Sequence, residues 1–463
     1  MATEITGLET ELRGRVTGEV VQPGDAAYDE ARAVYNGMHD RRPAVIVRAA
    51  ATADVAAAVT FARSRELPLA VRGGGHSVPG FGTVDGGVVI DLGRMRRIEV
   101  DVERRVARAE GGCTWRDFND ATHAFGLATT GGVVSSTGIG GLTLGGGMGN
   151  LSRTHGLACD NLVAAEVVTA DGDVLTCSEG RNEDLFWALR GGGGNFGVVT
   201  SFEYRVHPVG EILGGVIVFP LDGDALRGYS EFIGRAPEQL GGIAGLAQAP
   251  PMPFVPEEWH FKPVVALIVC WTGPMDEGQE VLRPLEDWAP VVGRQVGPMP
   301  YPVINTLFDE LLPAGLRHYW KANVVRETAD EAIDVHVEHS ARVPTLESGT
   351  FLFPLSGAVR RMPADATAFA HRDADFSSVI TAAWRDPAED AANIAWVRGY
   401  YEALRPYAEE GAYVNFLGAE DQSRVPASYA GSYGRLQAIK QRYDPDNVFR
   451  LNQNIRPEHG ADG

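Results

Sequence analysis

Short apolar blocks of changing period fill the first half of the chain. Pro43 to Arg48 (PAVIVR) is apolar over a strand's length and reads as a buried strand. Thr52 follows as a helix N-cap, with Val55, Ala58, Val59 and Ala62 recurring on one helical face through Arg65. Leu67 to Val71 then returns to strand character, which completes a β–α–β unit. Gly87 to Leu92, Arg97 to Val102 and Arg105 to Glu110 predict three further strands, and Trp115 to Phe125 predicts a helix. Val163 to Thr169 and Val174 to Cys177 predict a hairpin turning at Asp171-Gly172. A short helix from Glu183 to Arg190 precedes a strand from Val198 to Tyr204.

Past about Pro208 the pattern changes, and prolines and aromatics increase through Pro250 to Phe261. Val264 to Trp271, Arg317 to Val325 and Thr350 to Ala358 read as long strands. Leu226 to Arg235, Asp330 to Ser340 and Pro387 to Tyr407 read as helices, so this part is an α+β lobe with a large antiparallel sheet. In RHYWKANVV, alternation puts Tyr319, Lys321 and Asn323 on one face and His318 and Trp320 on the other. One face meets a pocket, and alternation does not distinguish which. Tyr413 to Phe416 reads as a short strand with Tyr413 and Asn415 on one side, and Tyr429 to Tyr443 reads as a helix. The tail from Tyr443 to Ile455 sets Asn and Gln among Val448, Phe449, Leu451 and Ile455, an arrangement of buried amides or of loop caps. Residues up to about Glu11 are polar and loosely held in this reading.

Glycine changes the picture. The chain has 56 glycines in 463 residues, above the usual ~7%, and they gather in three runs. The first, VRGGGHSVPGFG (Val71 to Gly82), follows a strand and fixes His76 directly behind three glycines. Such a turn offers backbone N–H groups as a nest for phosphate or pyrophosphate. The second, Thr130 to Asn150, holds nine glycines in 21 residues with Val, Ile, Leu and Met between them, as suits a buried loop around a ligand rather than a linker. In the third, Gly191 to Gly197, Gly192, Gly194 and Gly197 match GxGxxG, but a helix precedes and a strand follows. The nicotinamide fingerprint needs the reverse order, and no run carries GK[ST]. A net charge of −20 argues against nucleic acid and anionic membrane surfaces as partners. Cys113, Cys159, Cys177 and Cys270 show no metal or disulfide spacing, so no metal is expected. No stretch approaches the ~20 apolar residues of a membrane span, and the first residues lack a secretory pattern, as expected of a cytoplasmic protein.

Three glycine loops before a strand-rich lobe imply a long phosphate-bearing cofactor held by backbone, and without a Rossmann fingerprint this points to FAD. The motifs VRGGGHS, GIGGLTLGGGMG, GLACDNL, DLFWALRGGGGNFGVVTSFEY, YVNF and DPDNVFRLNQNI, in this order, resemble the vanillyl-alcohol-oxidase/PCMH flavoproteins in their berberine-bridge-enzyme-like branch. The resemblance implies a two-domain α+β PCMH-type FAD-binding fold. Residues 1–210 (core about 40–210) would bind FAD, 211–412 the substrate, and 413–463 would return to the FAD domain. It makes His76 the residue bonded to the flavin 8α-methyl. The cysteine of doubly linked relatives falls at Val134, so attachment through His76 alone is expected. Arg72, Gly73, Gly74, Gly75, Ser77 and Gly80 would hold the pyrophosphate; Val133, Thr137, Gly138, Gly140, Gly141, Gly197 and Val199 would touch other parts of the FAD. Asn452 and Asn454 match asparagines near the flavin, and Thr137 stands where the family gates oxygen.

The implied activity is an oxidase that moves hydride from a C–H beside oxygen or nitrogen to flavin N5 and reduces O2 to H2O2. The substrate would be a small alcohol or amine, aromatic or heterocyclic if Trp271, Phe308, Trp320, Phe351 and Phe353 line the pocket rather than fill the core. Several relatives end YxNY in a catalytic tyrosine, and here that position is Phe416, which cannot take a proton. Polar candidates in its stead are Tyr301, His318, Tyr319, Lys321, Tyr413 and Asn415, with Tyr413, Asn415, Tyr319 and Lys321 the catalytic candidates. A dehydrogenase with another acceptor and a flavin carrier without turnover are the alternatives.

Overall fold

The computed structural model describes residues 10–326 and 328–458; residues 1–9, within the segment expected to be loosely held, lie outside the described residues. β1 (Glu19–Val21), β2 (Val45–Arg48), β3 (Leu69–Arg72) and β4 (Val88–Asp91) form a sheet in the order β1-β2-β4-β3. β2, β4 and β3 run parallel, so the expected β–α–β unit is present with β4 inserted at its centre. Its helix runs Thr52–Ser64 and buries Val55, Ala58, Val59, Phe61 and Ala62. Thr52 is not the cap. Its hydroxyl donates to Glu166 at 2.7 Å, and the buried Asp54 carboxylate instead accepts from the N–H groups of Ala50, Ala51, Thr17 and Gly18.

A second, antiparallel sheet uses β5 (Ile98–Asp101), β6 (Val106–Glu110), β8 (Leu162–Val168), β9 (Val174–Ser178) and β10 (Val198–Arg205), in the order β5-β6-β10-β8-β9. β7 (Leu127–Ala128) and β11 (His207–Pro208) pair beside it. The strand after the third glycine run, β10, is therefore central, and Phe202 and Tyr204 pack on Trp115 and Phe118 in the core.

Seven strands make the third sheet: β12 (Glu211–Pro220), β13 (Leu240–Gln248), β14 (Pro263–Trp271), β15 (Gly293–Pro300), β16 (Arg317–Val325), β17 (Gly349–Pro354) and β18 (Phe376–Trp384). Their order is β15-β12-β14-β13-β17-β18-β16, with every pairing antiparallel. Sequence patterning misses β12, β13, β15 and β18. Glycines interrupt β12 and β13, and one of them has a packing reason: a Cβ on Gly241 would lie 1.8 Å from Asn150 O, at the end of the second glycine run. β17 stops at Pro354, short of the expected Ala358, because proline offers no ladder N–H. Helices Gly223–Ile233, Asp330–Ser340 and Asp390–Leu404 belong to this half. Val397, Tyr400 and Leu404 of the last pack on Ile380, Ala382 and Trp384, on the face of β18 opposite to Val379 and Thr381. Cores are continuous between halves, since Ile243 and Phe353 cluster with Met148 and Leu157.

His155 and His207 stack at 3.9 Å and 5°. Burial pulls both below the ordinary histidine value, His155 to about 4 and His207 to about 3, where His155, Arg205 and Arg105 add repulsion. Between pH 6.5 and about 4 the unfolded chain then binds more protons than the folded one, so stability falls as pH falls. The Tm measured across that window should drop toward acid, and His207→Gln should flatten the slope.

Candidate active site

The first two glycine runs meet backbone to backbone. A Cβ at Gly74 would lie 2.3 Å from Gly138 N, and one at Gly138 would lie 2.3 Å from Gly74 N. Only glycine on both sides permits that approach. The contact closes one side of a cavity of about 390 Å³ whose wall includes all three glycine runs, the β16–β18 region and the tail.

From the first run, Arg72, Gly73, Gly74, Gly75, His76 and Ser77 line the cavity, with Phe81 and Gly82. Among the described residues, the N–H groups of Gly74, Gly75, His76 and Ser77 have no acceptor. Gly80 is not in the wall; its carbonyl accepts from Arg41 at 2.7 Å, and the His39 ring covers it. The Arg72 guanidinium is turned inward to Ala33 O and Asp91, which leaves its backbone toward the loop. The second run contributes Gly132, Val133, Val134, Thr137, Gly138, Gly140 and Gly141, and carries a short helix, Ile139–Leu144. Gly193, Gly194, Gly197, Val198 and Val199 come from the third.

The tail is fastened to that third run. Lys440 and Asp444 form a wholly buried ion pair at 2.6 Å. Lys440 Nζ also donates to Asn195 O and Phe449 O, while Asp444 accepts the N–H groups of Val448 and Phe449. Phe449, Leu451, Asn452 and Gln453 are thereby set in the wall. The Asn452 amide donates to Gly194 O at 3.0 Å, and its Oδ1 is buried without a partner among the described residues. Asn454 is displaced from the wall, its N–H bound to Gln422 Oε1 at 3.2 Å.

His76 is held on three sides. Its Nε2 lies 2.9 Å from Ser136 Oγ, its Nδ1 3.5 Å from Thr137 Oγ1, and Tyr35 stacks on its face at 3.9 Å. Burial, helped by nearby His318, lowers it to about 4, so the ring is neutral near pH 7. Val134 occupies the wall where a thiol could stand, and all four cysteines are buried away from it.

The third sheet presents the face with His318 and Trp320 to the cavity, beside Phe351, Phe353, Val379 and Thr381. Tyr319 and Lys321, expected as catalytic candidates, lie on the opposite face. Lys321 pairs with Asp421 and Glu420 at 2.7 Å, and Tyr319 donates to Glu420 and accepts from Arg398. Tyr301 is buried outside the wall, and Trp271 is core. Residues 414–416 form a 3₁₀ turn rather than a strand, yet Tyr413, Asn415 and Phe416 all reach the cavity. The Tyr413 hydroxyl accepts from Gly147 N–H at 2.9 Å and Asn415 Nδ2 at 2.8 Å, and burial raises its pKa. Asn415 Nδ2 also reaches Gly141 O and Leu142 O, so the pair braces the second glycine run. Phe416 packs on Trp320 at 5.5 Å and Phe353 at 5.6 Å, and Phe308 meets Phe351 edge-on at 5.5 Å.

The lining residues include no carboxylate, lysine or cysteine. Of the titratable side chains there, His318 alone among the described residues has no side-chain hydrogen bond; its Nε2 is buried unpartnered, and burial lowers it to about 4. Tyr35 escapes the sequence reading altogether, because its neighbour His76 is far along the chain and no local pattern links them.

These features fit FAD: unpaired loop N–H groups suit a pyrophosphate, the orphaned Asn452 oxygen suits a donor on the ligand, and the glycine contact leaves backbone as wall. The FAD-binding domain family matches residues 43–178, and the berberine and berberine-like family matches 412–456. The FAD-linked oxidoreductase YgaK of Bacillus subtilis is 31% identical, over 96% of this chain and 98% of that protein. The (R)-6-hydroxynicotine oxidase of Paenarthrobacter nicotinovorans is also 31% identical, over 96% and 97%. The crystal structure of the 6-hydroxy-D-nicotine oxidase of Arthrobacter nicotinovorans superposes with a TM-score of 0.86, at 29% identity, over 96% of this chain and 98% of that one. Among the described residues no helix is long and apolar enough to cross a membrane.

Gly138→Ala should force the two loops apart and empty the site of flavin. The ratio of flavin to protein absorbance in the purified variant checks this, against a wild type with the flavin retained.

Proposed function

The chain belongs to the berberine-bridge-enzyme-like FAD-linked oxidoreductases, and on that premise we propose that it is an oxidase of small aromatic or heterocyclic alcohols or amines, with O2 as acceptor. The observation that carries the substrate class is the cavity wall of Phe308, Trp320, Phe351, Phe353 and Phe416, free of carboxylates and lysines. Such a wall favours a flat, neutral molecule over an oligosaccharide, whose hydroxyls would lose water without replacement partners. FAD, when bound, supplies the hydride acceptor and hands the electrons to dioxygen.

In this reading residues 1–210 and the 413–463 tail hold the cofactor, and 211–412 carry the substrate wall. His76 is the single covalent anchor, since Val134 offers no nucleophile. The backbone of residues 72–77 receives the pyrophosphate, with Val133, Thr137, Gly138, Gly140, Gly141, Gly197, Val199 and Asn452 around the remainder. The aromatic rings exclude water and orient the substrate carbon. Tyr413 and Asn415 position the second glycine run. Phe416 stands where several relatives place a catalytic tyrosine, and His318 takes that role here: it lines the cavity, is neutral near pH 7, and its Nε2 is uncommitted.

Two measurements test the oxidase and its anchor together. Acid-precipitated wild type should keep one flavin per chain by absorbance and intact mass, and His76→Ala should lose it. Benzylic and N-heterocyclic alcohols and amines should bleach the flavin anaerobically and yield H2O2 in air, while cellobiose should not. Bleaching without peroxide would indicate a dehydrogenase, and no bleaching by any of them would indicate a carrier.

His318→Gln should slow flavin bleaching by the alcohols about 100-fold, and by the amines far less, as expected for loss of a general base. In the wild type the same rate should be level from pH 8 to 5 and fall as His318 protonates near pH 4.

A further inference from the structure

We propose that Tyr35 is the positioning residue for flavin attachment, holding the His76 ring by face-to-face stacking so that its nucleophilic nitrogen is presented in one orientation. This rests on the reading that His76 carries the flavin. An imidazole on a glycine loop has little backbone rigidity of its own, and its side-chain rotations must be fixed by neighbours. Tyr35 supplies the face. Its ring lies 3.9 Å from that of His76 at 19°, and its other side stacks on His318 at 4.9 Å and 23°.

The tyrosine is itself fastened at three points. Its N–H donates to Gly75 O at 3.1 Å, its carbonyl accepts from Gly315 N–H at 2.9 Å, and its hydroxyl donates to Leu312 O at 2.8 Å. The neighbouring Asn36 fixes the far end of the stack, accepting from His318 N–H and donating to His318 O, both at 2.9 Å. Ser136 and Thr137 hold the edge of the His76 ring, so face and edge are both determined. The stack thus joins the N-terminal segment, the first glycine run and β16 at the ring that forms the bond.

Attachment exchanges one imidazole N–H and one C–H of the flavin 8α-methyl for an N–C bond. The two protons and two electrons released go to dioxygen, which leaves as H2O2. The stacking surface, rather than the hydroxyl, does the positioning, so the conservative variant separates this role from a merely structural one.

The test needs no substrate. Wild type, Tyr35→Phe, Tyr35→Leu and His318→Leu are purified as full chains, with His76→Ala as the unattached reference. Total FAD per chain, flavin retained after acid precipitation, intact mass and Tm are measured for each. A time course of attachment is followed after adding FAD to flavin-free protein. Tyr35→Phe should attach flavin as wild type does. Tyr35→Leu should bind FAD but attach it about 100-fold more slowly, as for a misplaced reacting group, and His318→Leu should fall between. Attachment in Tyr35→Leu as fast and complete as in wild type would overturn the proposal. So would a Tyr35→Phe variant as defective as Tyr35→Leu, since the hydroxyl anchor would then be what matters. If Tyr35→Leu does not fold, His318→Leu attaching at the wild-type rate overturns it instead. Wild type without covalent flavin would refute the His76 reading itself, and this outcome is distinct from a defect confined to the variants.

Discussion

The contact of Gly74 with Gly138 is the constraint from which the site follows. Two loops meet with no side chain between them, at a separation where any Cβ would collide with the opposing backbone. That contact places the unpaired N–H groups of one run beside the short helix of the other. It also sets His76 next to Ser136 and Thr137, two residues from Gly138 or closer. A side chain on either glycine would separate the loops, and with them the pocket for the cofactor and the histidine that faces it.

The third run joins the second through backbone, since the N–H groups of Gly191 and Gly193 both donate to Leu144 O, and charge then fastens the tail to it. Lys440 and Asp444 are removed from water together, and each is saturated by backbone groups of the third run or the tail. A buried pair of this kind adds little net stability, but breaking it leaves an uncompensated charge, roughly 3–5 kcal/mol. Its consequence here is register: it fixes which tail residues reach the cavity, so that Asn452 lines it and Asn454 does not. Lys321 does the corresponding work behind the third sheet, where Asp421 and Glu420 fasten β16 to the segment following the YVNF turn.

Within the cavity the physical theme is dryness. Phe308, Trp320, Phe351, Phe353 and Phe416 are among the rings that keep water from the ionisable groups, and burial leaves His76 and His318 both neutral near pH 7. A neutral imidazole keeps a lone pair. Tyr35, wedged between the two histidines, is pushed up to about 12 by the same burial and stays protonated near pH 7.

The sequence by itself determined the parts of this protein that depend on residue identity. Glycine runs spaced by apolar residues, and His76 directly behind three glycines, are legible locally, because a close backbone approach needs glycine, whereas Val134 and Phe416 take their meaning only from the family resemblance. The β–α–β unit and the long strands β14 and β16 were likewise legible from period and apolar content. Tertiary structure alone decided the rest. Alternation divides β16 into two equal faces, and only packing against the first half selects His318 and Trp320 over Tyr319 and Lys321. Glycine-interrupted strands lack a readable period, since their small residues answer to neighbours distant in sequence, as Gly241 does to Asn150. Tyr35 reaches His76 only after the chain has folded, and no local pattern of apolar and polar positions encodes a contact of that range.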